Sequence, residues 1–155
     1  MTKQLLTTAS AIIISLALAT ATRAGEVEIP IEKLPEAIQK TMRETVGKGT
    51  IAKTVKETEK DGSVIYEVAY TVGTRKFEAE VSPKGKLLVI DEQIELSEAP
   101  DAVQKAIKDK TAGGKITKVE KATKGKEVFY EAEFVKDGKE HEVKVAPSGK
   151  VLAVE

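Results

Sequence analysis

An internal repeat constrains the fold of this chain more than any other feature of its sequence. The same residue types recur in the same order, 65 positions apart early in the repeat and 64 positions apart later. Matched Pro, Gly and Tyr residues in a fixed order are not explained by chance recurrence of Lys and Glu. The clearest pairs are Pro35/Pro100, Ala37/Ala102, Gly49/Gly114, Tyr66/Tyr130, Pro83/Pro147 and Gly85/Gly149. The sequence therefore predicts two units, 29–91 and 94–155, joined near Gln93.

Each unit begins with a helical pattern. From Leu34 to Val46 the apolar residues fall on one face of a helix with 3.6 residues per turn. Pro35 suits the first turn of such a helix, and Gly47 suits its end. The second unit repeats the apolar stripe over 99–107. Both predicted helices are amphipathic, so each needs an apolar surface to cover.

After each helix the period of the pattern changes to 2, which is typical of β-strands. Turn signals such as Asp61-Gly62 and Asp137-Gly138 separate the alternating segments. The predicted strands are 51–58, 63–72, 75–82 and 86–91 in the first unit, and 116–123, 127–136, 139–146 and 149–154 in the second. The predicted fold class is α+β: two repeats of one helix followed by a four-stranded antiparallel meander, with the helices packed on one face of the sheet.

The first 24 residues have the pattern of a secretory signal peptide. Lys3 gives a positive start, residues 5–19 are uncharged, and small residues up to Ala24 allow cleavage. This uncharged run is shorter than the roughly 20 residues that a membrane-spanning helix needs. The alternative is an uncleaved N-terminal anchor. We expect the domain 25–155 to be exported to the periplasm or the extracellular medium, with no stable membrane span after cleavage.

The composition excludes several kinds of site. The chain has no Cys, which excludes disulfides, thiolate nucleophiles and Cys-based metal sites, and its single His excludes a multi-histidine metal site. Residues 25–155 carry 23 basic and 25 acidic side chains. Because nucleic-acid-binding domains need a clustered basic excess, this balance argues against a nucleic acid as partner. We therefore expect no metal, no cofactor and no nucleic acid.

Catalysis is disfavoured. By repeat alignment His141 takes the position of Phe77, on the inward alternation, so a partly buried sheet residue is a simpler interpretation than a catalytic base. The carboxylates predicted on the outward alternation could form a hydrolase pair; they are Glu67, Glu78, Glu80, Glu131, Glu133 and Glu142. Lys76 and Lys144 lie on the same face, so cross-strand ion pairing explains the pattern more simply. We predict that the protein is not an enzyme.

Three features together resemble a tandem PepSY-like repeat: the helix with an early Pro, the Tyr-Glu start of the central strand, and the Val-x-Pro-x-Gly-Lys-(Leu/Val)-Leu ending at 81–88 and 145–152. The arrangement is also similar to the fold of beta-lactamase-inhibitor-like secreted proteins. The resemblance covers about 29–155 and implies an exported bacterial domain whose relatives are inhibitory or binding modules, some proposed to restrain peptidases. The matching positions belong to the scaffold, so no contact residue is carried over. The lack of Cys and Trp disfavours inhibition of a lactamase in particular.

The candidate binding surface is the predicted sheet face opposite the helices. It comprises outward residues of two matched strands: Ile65, Glu67, Ala69, Thr71, Phe129, Glu131, Glu133 and Val135. Of these, Ile65 and Phe129 are the large apolar side chains that the alternation exposes, although scattered exposed apolar residues are normal in any protein.

These observations predict a non-catalytic binding module. It would inhibit or regulate a secreted or periplasmic peptidase or another envelope protein. We expect a monomer whose partner is a secreted or envelope protein or peptide. The first alternative is a structural or small-ligand-holding envelope protein without an inhibitory role, and the second is a weak carboxylate-based hydrolase.

Overall fold

The computed structural model describes residues 25–58 and 61–154. The predicted signal peptide, residues 1–24, lies outside the described residues. Nine strands form one antiparallel sheet in which the strand order follows the chain order. The strands are β1 (Glu26–Glu28), β2 (Thr50–Thr58), β3 (Val64–Val72), β4 (Arg75–Val81), β5 (Leu87–Gln93), β6 (Lys115–Lys124), β7 (Glu127–Lys136), β8 (Lys139–Val145) and β9 (Val151–Val154).

Two short helices interrupt the run of strands. Helix α1 (Glu36–Val46) lies between β1 and β2, and helix α2 (Asp101–Lys110) lies between β5 and β6. A single 3-10 turn precedes each of them, at Ile31–Lys33 and Leu96–Glu98. Each helix begins directly after a proline, which has no N–H to leave unpaired in the first turn. Neither helix has the length or the apolar character needed to span a membrane, and the described residues contain no other α helix.

The helices bury their apolar stripes against the sheet. Ile38 and Met42 of α1 are fully buried in one hydrophobic cluster, and Val103 and Ile107 of α2 are fully buried in a second. By register, both clusters lie on the same face of the sheet. One row of paired residues crosses from the first cluster to the second: Val68, Ala79, Ile90, Thr123 and Val128.

A tight turn after β4 packs directly against α1, and a tight turn after β8 packs directly against α2. Gly85 has φ +77°, and a Cβ built on it would lie 2.9 Å from the Cβ of Ala37 in α1. Gly149 has φ +83°, and its added Cβ would lie 2.7 Å from the carbonyl oxygen of Ala102 in α2. Glycine is required at both places because the turn needs a positive φ and the helix leaves no room for a side chain.

The predicted α+β fold, with two repeats that each pair one helix with its own four-stranded meander, is wrong. The strands form a single nine-stranded sheet that does not divide at Gln93. Strand β5 pairs with β6 from Ile90 opposite Thr123 to Gln93 opposite Glu120, and β1 adds a ninth strand along β2. Two separate meanders would leave unpaired N–H and C=O groups at both inner edges, and joining them satisfies those groups.

Candidate functional site

The sheet face opposite α1 and α2, which we call the helix-free face, carries one continuous row of residues across five strands. In β3 to β7 the successive partners are Ala69, Glu78, Asp91, Ala122 and Phe129. Adjacent strands lie about 4.8 Å apart, so this row spans about 19 Å. The seam between the two predicted units therefore lies in the middle of the face.

All eight residues predicted for the binding surface lie in β3 or β7, and all are half-buried. The register places the β3 set (Ile65, Glu67, Ala69 and Thr71) and the β7 set (Phe129, Glu131, Glu133 and Val135) on the helix-free face. The two sets are not in contact, because β4, β5 and β6 lie between them. Ile65 and Phe129, expected to be exposed, are each partly covered.

The middle of the face holds an ionic network centred on Lys118 of β6. Its Nζ lies 2.8 Å from Oε1 of Glu120 and 3.3 Å from Oε2 of Glu78 on β4. Burial lowers the pKa of Lys118, but the hydrogen bond and charge of Glu120, with the charge of Glu78, outweigh burial and raise it above its usual range. Burial also raises the pKa of Glu120, although Lys118 opposes the shift. This network ties β4 to β6 across β5.

Asp91 of β5 is the most perturbed carboxyl group of the face. Its Oδ1 is buried and has no hydrogen-bond partner among the described residues. Burial, together with the negative charges of Glu120 and Glu131, raises the pKa of Asp91 from 3.8 to about 8. The carboxyl group therefore holds a proton for most of the time at neutral pH, which removes the cost of a buried charge without a partner.

Glu67 of β3 is a second carboxyl group that is partly neutral near pH 7. Burial, reinforced by the negative charge of Glu78, raises the pKa of Glu67 to about 7, and Lys53 opposes the shift. Two carboxyl groups on one face thus change charge within the physiological range. Any group that binds near them changes its affinity with their state of ionisation.

A cleft of about 260 Å³ opens on the helix-free face above β5 and β7. Its lining includes Leu88, Val89 and Asp91 from β5 and Phe129 and Glu131 from β7. The Nζ of Lys144, from β8, lies 4.5 Å from the centre of the Phe129 ring and 2.6 Å from Oε1 of Glu131. The half-burial of Phe129 thus coincides with a cation on its ring.

A larger cleft of about 530 Å³ lies nearer to β2 and β3. Among its lining residues are Lys53, Ala69, Glu78, Lys118 and Glu120, so it overlaps the ionic network. Both clefts combine carboxylates, lysines and apolar surface. This arrangement suits recognition of polar and charged groups.

The one histidine stacks on Phe134 with a centroid separation of 5.2 Å, as Phe77 stacks on Tyr70 at the same separation in the other half of the sheet. The half-buried sheet position predicted for His141 is therefore confirmed. Within 25–58 and 61–154 no three His, Cys, Asp or Glu side chains are placed to hold a metal ion.

Sequence reasoning missed Asp91, Lys118 and Glu120 as members of the face. A signal was present for Glu120, which takes the repeat position of the buried apolar residue Val55. An acidic residue at a position buried in both halves indicates a special environment. Asp91 gives a weaker signal, since it follows an apolar run that reads as an ordinary buried strand.

Comparison with known proteins gives both a family and a fold. Residues 20–89 and 64–153 each match the family described as beta-lactamase-inhibitor-like, PepSY-like. None of the curated proteins shows a significant sequence match to this chain.

Several solved structures share the fold. A Bacteroides eggerthii protein described as periplasmic has a TM-score of 0.65 at 16% identity, over 79% of this chain and 88% of its own. A protein of Bacteroides ovatus has a TM-score of 0.63 at 13% identity, over 79% and 86%. A Bacteroides fragilis protein described as BLIP-like has a TM-score of 0.61 at 17% identity, over 82% and 86%. Because the two family matches together span most of its length, this chain belongs to the beta-lactamase-inhibitor-like, PepSY-like family.

Proposed function

We propose that residues 25–155 are an exported periplasmic binding module whose helix-free face binds a protein partner. The observation that carries the proposal is the uninterrupted row from Ala69 to Phe129 on a face that neither helix covers. The signal-peptide pattern of residues 1–24 supports export, and the Bacteroides eggerthii neighbour is described as periplasmic.

The face has the dimensions of a protein interface. Strands β2 to β8 cover about 29 Å across the sheet, and strands of this length run for about 25–30 Å. The resulting area of about 700–850 Å² matches what each partner buries in a standard protein–protein interface.

Its side chains are also held in place before a partner arrives. Lys118 is held between two carboxylates, at 2.8 Å from Glu120 and 3.3 Å from Glu78. Half-buried, paired side chains lose less conformational entropy on binding than free surface side chains do. The face is therefore preorganised for recognition of a partner.

The family description supports a more specific role. We propose that the partner is a secreted or periplasmic peptidase or another envelope protein, which the module inhibits or regulates. The fold neighbour from Bacteroides fragilis is described as BLIP-like, in keeping with a binding role for this face.

Affinity capture from the periplasm tests the proposal. The bait proteins are residues 25–155 as wild type, the double variant Phe129→Ala/Glu131→Ala, and a control variant Lys105→Ala/Asp109→Ala. The control removes an exposed ion pair of 2.6 Å on α2, away from the helix-free face. A true partner is retained by wild type and control and is lost from the face variant. Retention of the same proteins by all three baits would refute the proposal.

Inhibition is tested separately with the peptidase activity of the periplasmic fraction, using casein as substrate. Added wild-type protein should lower the rate of cleavage, and the face variant should not. An unchanged rate with wild-type protein in excess would exclude the inhibitory role and leave the binding role.

A small-ligand-holding protein is a second candidate, favoured by one observation. The cleft of about 530 Å³ has the size of a small-molecule site, which is typically about 300–1,000 Å³. Native mass spectrometry of protein purified from the periplasm distinguishes the two functions. A small molecule retained by wild type and lost on Lys118→Met would favour this second candidate.

A further inference from the structure

The smaller cleft of the helix-free face already holds a cation that the protein itself provides. The ammonium group of Lys144 lies 4.5 Å from the centre of the Phe129 ring and 2.6 Å from Oε1 of Glu131. An aromatic ring and a carboxylate that both lie close to one nitrogen form a recognised arrangement for binding ammonium and guanidinium groups.

The rest of the cleft fits a longer cationic side chain. Leu88 and Val89 supply apolar surface along its wall, and Glu80 adds a second carboxylate. The lining also includes Asp91, which is mostly protonated at pH 7, and a second lysine, Lys124. Lysine and arginine side chains combine an apolar stem with a charged end, so this lining complements both parts.

The charge of the wider face points in the same direction. On this face of β2 to β8 the acidic side chains outnumber the lysines even when Glu67 and Asp91, whose raised pKa values leave them partly or mostly protonated near pH 7, are not counted. They are Glu57, Glu78, Glu80, Glu120, Glu127, Glu131, Glu133, Glu140 and Glu142 against Lys53, Lys76, Lys115, Lys118, Lys124 and Lys144. A partner surface with basic residues is therefore electrostatically complementary to this face, and one with acidic residues is repelled.

We propose that this cleft binds a lysine or arginine side chain of the protein partner, which takes the place of the Lys144 ammonium beside Phe129 and Glu131. The inference rests on the proposed function, because the cation is a side chain of the protein partner. Lys144 keeps 35% of its side-chain surface accessible and Glu131 keeps 18%, so the lysine is the more exposed member of the pair.

The size of the cleft suits a single side chain. A volume of about 260 Å³ lies below the range of about 300–1,000 Å³ that is typical of small-molecule sites. One extended side chain, anchored by the rest of the partner, needs less enclosed volume than a free ligand, because the surrounding interface contributes the remaining binding energy.

The test uses a pentapeptide with one basic residue, acetyl-Gly-Ala-Arg-Ala-Gly-amide, titrated into ¹⁵N-labelled residues 25–155. The control peptide replaces Arg with citrulline, which has nearly the same shape and no charge. We expect millimolar binding of the Arg peptide, with the largest amide shifts at Phe129, Glu131 and Asp91, and at least threefold weaker binding of the citrulline peptide.

Two variants sharpen the result. Lys144→Met removes the internal competitor and should tighten binding of the Arg peptide about 3- to 10-fold, while Phe129→Leu should weaken it by a similar factor. Lys105→Met, on the exposed side of α2, should change nothing.

Equal binding of both peptides, or amide shifts confined to other parts of the sheet, would overturn the proposal. The titration of wild-type protein is sufficient for this test, so it does not depend on whether the variants fold. If the Arg peptide fails to bind here while protein capture still depends on the face, this inference falls and the proposed function stands. If the peptide binds here and no protein is captured, the proposed function falls and the cation site stands.

Discussion

The wild-type protein should lose stability as the pH rises from 5 to 9. Replacing Asp91 by Asn should prevent a large part of that loss. The pKa of Asp91 is raised from 3.8 to about 8 in the folded state, chiefly by burial. Between these two values the folded protein holds a proton that the unfolded chain releases. The free energy of unfolding therefore falls as pH rises through this window, and Asn, which does not ionise, removes that dependence.

The magnitude follows from the width of the pH interval. From pH 5 to the folded-state pKa there are about three pH units, which at about 1.36 kcal/mol per unit correspond to about 4 kcal/mol. Asp91 is only half-buried, so water screens part of this cost. We expect the stability of Asp91→Asn relative to wild type to increase by about 2 kcal/mol between pH 5 and pH 9.

Urea denaturation at pH 5, 7 and 9, followed by circular dichroism, measures this change. Asp137→Asn is the matched control, because it makes the same chemical change at an exposed turn residue with φ 52°, a conformation that Asn tolerates. The control should show the same relative stability at all three pH values. The reasoning is refuted if Asp91→Asn shows no larger pH effect than the control, or if the variant becomes less stable than wild type as the pH rises.

Three further predictions concern other parts of the molecule. The free energy of unfolding of Glu67→Gln relative to wild type should increase by about 1 kcal/mol between pH 5 and pH 8, because burial raises the pKa of Glu67 to about 7. A difference that stays constant in the same urea series would contradict this. Gly149→Ala should lower the stability by at least about 2 kcal/mol, because its Cβ would lie 2.7 Å from the carbonyl oxygen of Ala102. The control Gly138→Ala, at φ +75° with open space around the added Cβ, should lower it by about 1 kcal/mol. Equal losses of thermal stability in the two variants would exclude a role for the contact with α2. Met42→Ala should cost about 2–5 kcal/mol in urea denaturation, because the side chain is fully buried under α1, and a loss below 1 kcal/mol would show that the cluster refills the cavity.

Local patterns in the sequence predicted the elements but not their assembly. The stripe ending at Val46 located α1, and the alternation of 64–72 located β3, because both patterns reflect which side chains face the apolar core. The pairing of β5 with β6 has no such pattern, since α2 lies between them in the chain and periodicity does not indicate which sheet edges meet. The three-residue strand β1 is too short for alternation to be detected.

The candidate site was predictable to the same extent. Alternation placed Glu67, Phe129 and Glu131 on the helix-free face because a strand has only two faces. It could not predict that Lys144 from a neighbouring strand lies over the Phe129 ring. Nor could it predict the raised pKa of Asp91, which depends first on burial and then on carboxylates from three other strands.

The sequential order of the strands has a kinetic consequence. Because every strand after β1 pairs with the one before it in the chain, the long loops that strand pairing must close are those containing α1 and α2. Each hydrophobic cluster can serve as a separate nucleus, one around α1 and the other around α2. Folding should then start at two places and finish when β5 meets β6, so pulsed hydrogen exchange should show the amides between Ile90 and Gln93 gaining protection last.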